Sequence, residues 1–171
     1  VLYVIDVDFP AERIKEIVED CSPRILITST QYEGESETLQ KQIESIKEVV
    51  SIGDAGYRGV LGEYSRENPD IKRETDWLAY LIFTSGTTGR PKGVMSHELG
   101  MLNHMYGNIA YMNIGSEDVM AQTGSMGFDI SIWQCLVMEI IGGVTCIIDK
   151  EKFLDPEKLI QEIQNGGVTI I

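Results

Sequence analysis

Residues Phe83 to Gly93 read FTSGTTGRPKG, with four hydroxyl side chains, three glycines, one proline and two cations in eleven positions. Thr84, Ser85, Thr87 and Thr88 offer hydroxyls, Gly86 and Gly89 allow close backbone approach, and Arg90 and Lys92 supply charge. Amides and hydroxyls of this kind can wrap a polyphosphate tail. The spacing is not that of a Walker loop, which needs Gly, four residues, Gly-Lys and then Ser or Thr. Counting from Gly86, the second glycine falls on Pro91, which has no N–H to donate, and Gly93 stands where the hydroxyl belongs. A P-loop ATPase fails on those two positions. Composition alone leaves two readings open: a flexible lid on phosphates, or a solvated Gly/Ser/Thr-rich turn.

A second chemical feature is Gly127-Phe128-Asp129 ahead of an apolar stretch. A carboxylate there can cap a helix by accepting from its free amides. Trp133 follows four residues later and so shares a helix face with Asp129. His97, in GVMSHE, reads as structural, closing the loop against the helix that follows. His104 and Tyr106 are assigned to core or surface.

The elements that must position these residues alternate as βα units. VLYVIDV is read as extended, followed by a helix over about Ala11–Asp20 carrying Ile14, Ile17 and Val18 on one face. Arg24–Thr28 is a strand, and Leu39, Ile43, Ile46, Val49 and Val50 mark an amphipathic helix. Residues 53–76, rich in Gly and charge, form a surface connection. Trp77–Thr84 is a buried strand, Val94-Met95 a short returning strand, and Glu98–Met112 a helix turning Leu99, Leu102, Tyr106 and Ile109 inward. Strand Val119–Gln122, helix Asp129–Ile141, strand Val144–Ile148, helix Asp155–Gln164 and strand Val168–Ile171 complete the rhythm. Three parts are expected: a βα unit over 1–52, the connection 53–76, and the loop with further βα units over 77–171. Ligands in such sheets sit beyond the carboxyl ends of strands, where the loop stands.

Bulk composition narrows the partners. The chain has 171 residues, and 14 Lys plus Arg against 27 Asp plus Glu give a formal charge of −13. That sign repels nucleic acid and anionic membrane surfaces, so neither is an expected partner. Cys21, Cys135 and Cys146 form no CxxC pair and show no metal spacing with His97 and His104; no metal site is expected. Free thiols and the absence of a long apolar run point to a cytoplasmic protein. Val1 and Ile171 both fall inside apolar β-branched runs, which suggests a piece of a longer protein.

LAYLIFTSGTTGRPKGV, residues 78–94, resembles the signature of the adenylate-forming superfamily, and its Leu-Ala-Tyr lead-in resembles most the adenylation domains of nonribosomal peptide synthetases. Phe83 stands where Tyr is more usual. VLYVIDVDFPAERI resembles the family segment AYVPIDPxYPxERI without its first proline, and GSMGFDISIWQ, residues 124–134, resembles the FDxSxW segment. The three fall in family order and cover nearly the entire chain.

The resemblance implies an α/β fold, part of the large N-terminal domain of the adenylate-forming enzymes, with βα layers and mostly parallel sheets. It implies ATP-dependent activation of an amino acid to an aminoacyl-adenylate, then transfer to the phosphopantetheine thiol of a peptidyl carrier domain. Thr84, Ser85, Gly86, Thr87, Thr88, Gly89 and Lys92 would hold the phosphates of ATP, with Mg2+ ligands expected outside this chain. Asp129 would pair with the substrate's α-ammonium, with Ile130 and Trp133 as pocket walls; Trp133 is equally open to a role as core anchor. As a wall, its indole would shorten the pocket toward a small or medium, polar side chain. No catalytic residue is assigned. NxYGPTE, YRTGD and a C-terminal catalytic lysine do not occur, so this chain alone is expected to be inactive. An acyl- or aryl-CoA ligase, a D-alanine-carrier ligase and a non-catalytic nucleotide-binding module remain as alternatives.

Overall fold

The structure, a computed structural model, describes residues 1–53, 57, 59, 61–85 and 91–171. They divide into two compact units: Asp8–Arg73 with Ser85–Gly93, and Val1–Val7 with Glu74–Thr84 and Val94–Ile171.

In the first unit, α1 (Ala11–Cys21) buries Ile17 and Val18 and ends at Ser22, whose left-handed backbone lets its N–H donate to the Val18 carbonyl at 3.0 Å. β1 (Ile25–Ser29) pairs in parallel with β2 (Glu48–Ile52), in register from Ile25 opposite Glu48 to Ser29 opposite Ile52. Between them α2 spans Glu33–Gln42. The helix expected through Val50 therefore stops eight residues early. Leu39, Ile43, Ile46 and Val50 do fall at helical spacing, but Ile43 is already extended and Val49-Val50 belong to β2. β-branched residues lose rotamer freedom in a helix and fit a pleated surface, and pairing with β1 satisfies their backbone. Within the connection expected over 53–76, Tyr57, Gly59 and Leu61 are helical, and from Gly62 to Asp76 every residue is exposed and none lies in a helix or strand.

The second unit holds the βα repeats. The opening run contributes a single bridge rather than a strand. Leu2 N–H donates to the Ala79 carbonyl and Leu81 N–H to the Leu2 carbonyl, both at 2.9 Å, with Leu2 parallel to Tyr80. Turn geometry at Val7-Asp8 and then Pro10 ends the extended stretch there. β3 (Leu78–Ser85) and β4 (Pro91–His97) are neighbours in a two-stranded sheet, the latter longer than the Val94-Met95 expected. α3 (Glu98–Met112) starts directly after β4 and ends at left-handed Asn113.

β5 (Val119–Gln122), α4 (Asp129–Ile141) and β6 (Val144–Ile147) form a βαβ unit, β5 and β6 parallel with Val119 opposite Val144. Gly142, at φ 73°, closes α4. The core is Ile114, Met120, Val137 and Met138, with Ile109, Trp133, Ile141 and Ile170 packed around it. A short α5 (Lys150–Phe153) leads to α6 (Pro156–Asn165), which Asp155 caps by accepting from the N–H groups of Glu157 and Lys158. Ile170 makes one parallel bridge to Met120 rather than a full strand.

The face that α3 turns inward agrees with expectation at Leu102 and Ile109 and differs at Leu99 and Tyr106. Leu99 and Tyr106 are each 57% exposed, whereas Met105 is buried. Met101, Leu102, Met105, Asn108 and Ile109 make the inward stripe at spacings of three and four. The reading favoured Leu and Tyr over flexible Met, which fills irregular gaps as readily.

Asp118 ties two distant segments together. Its carboxylate accepts from Gly115 N–H and from the Thr169 hydroxyl, each at 2.8 Å. The Gly115 amide first, and then the Thr169 hydroxyl, hold its pKa below the usual carboxylate value. A folded-state pKa below the unfolded one stabilises above the unfolded value, and that stabilisation fades as pH falls through the folded one. The Tm gap between the native chain and Asp118→Asn should therefore be widest near neutral pH and close in acid. A gap that widens in acid would contradict this.

Candidate active site

α4 carries Asp129, Ile130 and Trp133, and its first turn is held by its own neighbours. Phe128 occupies the N-cap position with no side-chain cap, so Asp129 is the first helical residue rather than the cap. A carboxylate there suits the positive end of the helix. Asp129 is exposed and makes no hydrogen bond or ion pair with another described residue. Its negative charge is left for something else.

The segment leading into α4 is clasped by Gln134, which is 2% exposed. Gln134 Oε1 accepts from the Thr123 N–H at 3.1 Å and the Gly124 N–H at 2.9 Å, and its Nε2 donates to Thr123 Oγ1 at 3.1 Å. Ser131, fully buried, donates its hydroxyl to the Phe128 carbonyl at 2.7 Å. Ser125 Oγ donates to Asp6 Oδ2 at 2.7 Å. Gly124 lies so close to α4 that a Cβ would stand 2.8 Å from Ile130 Cγ2 and 3.3 Å from the Ser131 nitrogen. A larger residue there would require Ile130 or the segment to shift.

Asp129 opens onto a cavity of about 350 Å³ walled by Tyr80 of β3, Met95, Ser96 and His97 of β4, Gly100, Met101, His104 and Met105 of α3, and Ile132 and Trp133 of α4. A second hollow of about 300 Å³ shares His104, Asp129 and Trp133 and adds Asn108, Met112 and Ile130. Asp129, Ile130 and Trp133 are thus brought together as walls. Trp133 packs on the core cluster and lines both hollows; its Nε1 is buried without a partner among the described residues.

His97 stands at the N-cap of α3 and also faces the larger hollow; a Cβ on Gly100 would lie 3.4 Å from its Nδ1. The reading missed His104, Asn108 and Gln134. The signal for the first two was the series His97, Met101, His104, Met105, Asn108 and Met112, one helical stripe. Gln134 had no signal beyond polarity inside an apolar helix.

The phosphate-loop residues divide. Thr84 and Ser85 end β3 and Lys92 lies on β4; Thr84 and Lys92 are exposed and line neither hollow. Gly86, Thr87, Thr88 and Gly89, with Arg90, lie outside the described residues.

Parallel βα units of this kind define an α/β fold. The sequence model of the family described as AMP-binding enzyme matches residues 1–171, and the chain belongs to that family. Among curated relatives it is 32% identical over 167 residues to a dimodular nonribosomal peptide synthase of Bacillus subtilis, covering 98% of this chain and 7% of that protein. It is 28% identical over 176 residues to gramicidin S synthase 1 of Brevibacillus brevis, covering 98% of this chain and 14% of that one. Among solved structures, the N-terminal domain of FACL13 from Mycobacterium tuberculosis aligns with a TM-score of 0.81 at 16% identity, over 96% of this chain and 41% of that one. McyG A-PCP complexed with phenylalanyl-adenylate aligns at 0.75 and 18% identity, over 93% of this chain and 25% of that one. The fold is that of the N-terminal domains of adenylate-forming enzymes, and the resemblance to peptide synthetase adenylation modules holds over nearly the whole chain. The chain spans only a small part of these relatives. Among the described residues no helix is long and apolar enough to cross a membrane.

Proposed function

We propose that this chain is part of an amino-acid-activating adenylation domain. The observation that carries the proposal is the carboxylate of Asp129, unengaged among the described residues, at the mouth of a hollow walled by Trp133, Met101 and Met105. An ammonium next to it would form a charge-assisted hydrogen bond. A fatty or aryl acid would leave that carboxylate desolvated without a counter-charge. Ile130 and Trp133 line the side-chain end.

In the reaction proposed, an amino acid carboxylate oxygen bonds to the α-phosphorus of ATP. The bond from that phosphorus to the bridging oxygen breaks, and pyrophosphate leaves. A carrier-protein phosphopantetheine thiolate then attacks the acyl carbon, and AMP leaves. Thr84, Ser85, Gly86, Thr87, Thr88, Gly89 and Lys92 would hold the phosphates, by positioning and charge neutralisation rather than covalent help. Mg2+ would accompany ATP on ligands outside this chain, the carrier domain would be part of the same polypeptide, and the setting would be the cytoplasm. By itself the chain is proposed to be inactive.

Amino-acid-dependent ATP–pyrophosphate exchange in the full-length protein tests this. Exchange with one or a few amino acids, and none with fatty or aryl acids, is expected. Exchange confined to acids without an ammonium would move the protein to the acyl or aryl ligases.

A further inference from the structure

We propose that Asp6 is a positioning residue for the amino acid site, holding the turn that delivers Asp129 through a hydrogen bond to Ser125. The proposal rests on the amino-acid-activating reading and adds to it a residue that touches no substrate.

The opening run of the chain lies along β3 as a short strap. Leu2 N–H donates to the Ala79 carbonyl and the Leu2 carbonyl accepts from Leu81 N–H. Tyr3 packs edge-on against Phe83, with ring centroids 5.0 Å apart. Phe83 is buried and directly precedes Thr84, the first hydroxyl of the proposed phosphate loop. Further along the strap, Asp6 Oδ2 accepts from Ser125 Oγ at 2.7 Å, across 119 positions of sequence.

Ser125 opens the turn that precedes α4. Its carbonyl accepts from Phe128 N–H at 3.0 Å, and its hydroxyl oxygen accepts from Gly127 N–H at 3.4 Å while donating to Asp6. One hydroxyl thus shapes the turn on one side and ties it to the strap on the other. Phe128 is the N-cap position and Asp129 the first helical residue, so this turn fixes where the carboxylate emerges. Gln134 clasps only the preceding Thr123 and Gly124. Among the described residues, the bond to Asp6 is the one hydrogen bond from Ser125–Phe128 to a distant segment. β3 is backed by β4, whereas the turn lies outside any helix or strand and is exposed at Ser125 and Met126. Losing the bond therefore loosens the turn and not the strand. The amino acid side of the site should feel the loss and the ATP side should not. A serine–aspartate pair that served stability alone would change neither Michaelis constant.

The test is pyrophosphate exchange in the full-length protein with its preferred amino acid. Ser125→Ala should raise KM for the amino acid about three- to tenfold, the worth of one partly exposed hydrogen bond, with kcat and KM for ATP unchanged. Ser125→Thr keeps the hydroxyl and should recover most of the loss. Asp6 has a further interaction of its own, so a double-mutant cycle isolates the bond. Asp6→Ala combined with Ser125→Ala should raise KM no further than Asp6→Ala alone. Amide hydrogen exchange at Gly127 and Phe128 reads the turn without substrate and should speed up in Ser125→Ala but not in Ser125→Thr. A fall in Tm with both KM values unchanged would overturn the proposal. Equal rises in both KM values, or additive losses in the cycle, would do the same. Pyrophosphate exchange confined to acids without an ammonium, or none with any acid, would instead overturn the activation reading beneath it.

Discussion

Asp129→Ala in the full-length protein should lower kcat/KM for the amino acid by about 10–150-fold, the net worth of a hydrogen bond to a charged group at about 1.5–3 kcal/mol. Most of the loss should fall on KM, since the ammonium is held alike before and during attack at the carboxylate. Asp129→Asn keeps an acceptor without the charge and should land between. Neither variant should unfold the chain, because Phe128 and not Asp129 holds the N-cap position and the carboxylate has no partner among the described residues. Only the favourable placement at the helix start is lost, about 0.3–1 kcal/mol. The des-amino analogue of the preferred substrate gives the sharper readout. It should be a poor substrate of the native protein and lose little further in Asp129→Ala. Equal losses for amino acid and analogue would mean that Asp129 supports the fold of the site and does not bind the ammonium.

Where one period held along a whole element, the sequence was sufficient. β5 and α4 begin and end where the pattern said, because an apolar run between turn signals has one way to be buried in a βαβ unit. α2 and β2 were not separable, because Leu39, Ile43, Ile46 and Val50 satisfy helical spacing across the break and only pairing with β1 decides. Nor was the rotation of α3 legible: methionine and leucine are equally apolar, and the packing partner settles which row turns in. The site divides in the same way. Asp129, Ile130 and Trp133 were singled out together because they stand in one short segment that resembles a family motif, whereas His104 and Asn108 reach them only through packing of α3 against α4. Of the phosphate loop, Thr84 lies on the strand expected for it, Ser85 and Lys92, read as loop, fall on β3 and β4, and the glycine-rich centre lies outside the described residues.

Gln134→Leu should destabilise the chain by roughly 2–5 kcal/mol, although leucine has a similar volume and suits a helix interior. The substitution removes no apolar contact; it removes the acceptor that the N–H groups of half-buried Thr123 and Gly124 share, supplied by Gln134, which is itself buried. Each buried amide left without a partner costs about 1–3 kcal/mol, more than the bond itself is worth in water. The segment cannot move away to find solvent without giving up its seat on the helix, since Gly124 is already in contact with Ile130 and the Ser131 backbone. Gln134→Glu separates this account from simple packing. A carboxylate oxygen still accepts from both amides and the Thr123 hydroxyl can turn to donate, so the clasp should return while burial of an unpaired charge keeps part of the stability loss. Urea denaturation of the full-length protein measures the global cost, and amide hydrogen exchange at Thr123 and Gly124 reads the clasp itself. Both amides should exchange fast in Gln134→Leu and slowly in Gln134→Glu. Because the same segment delivers Asp129 and Ile130 to the hollow, the leucine variant should also raise KM for the amino acid more than KM for ATP. Protection of both amides in the leucine variant would show that the segment is held by its contacts with α4 and not by Gln134.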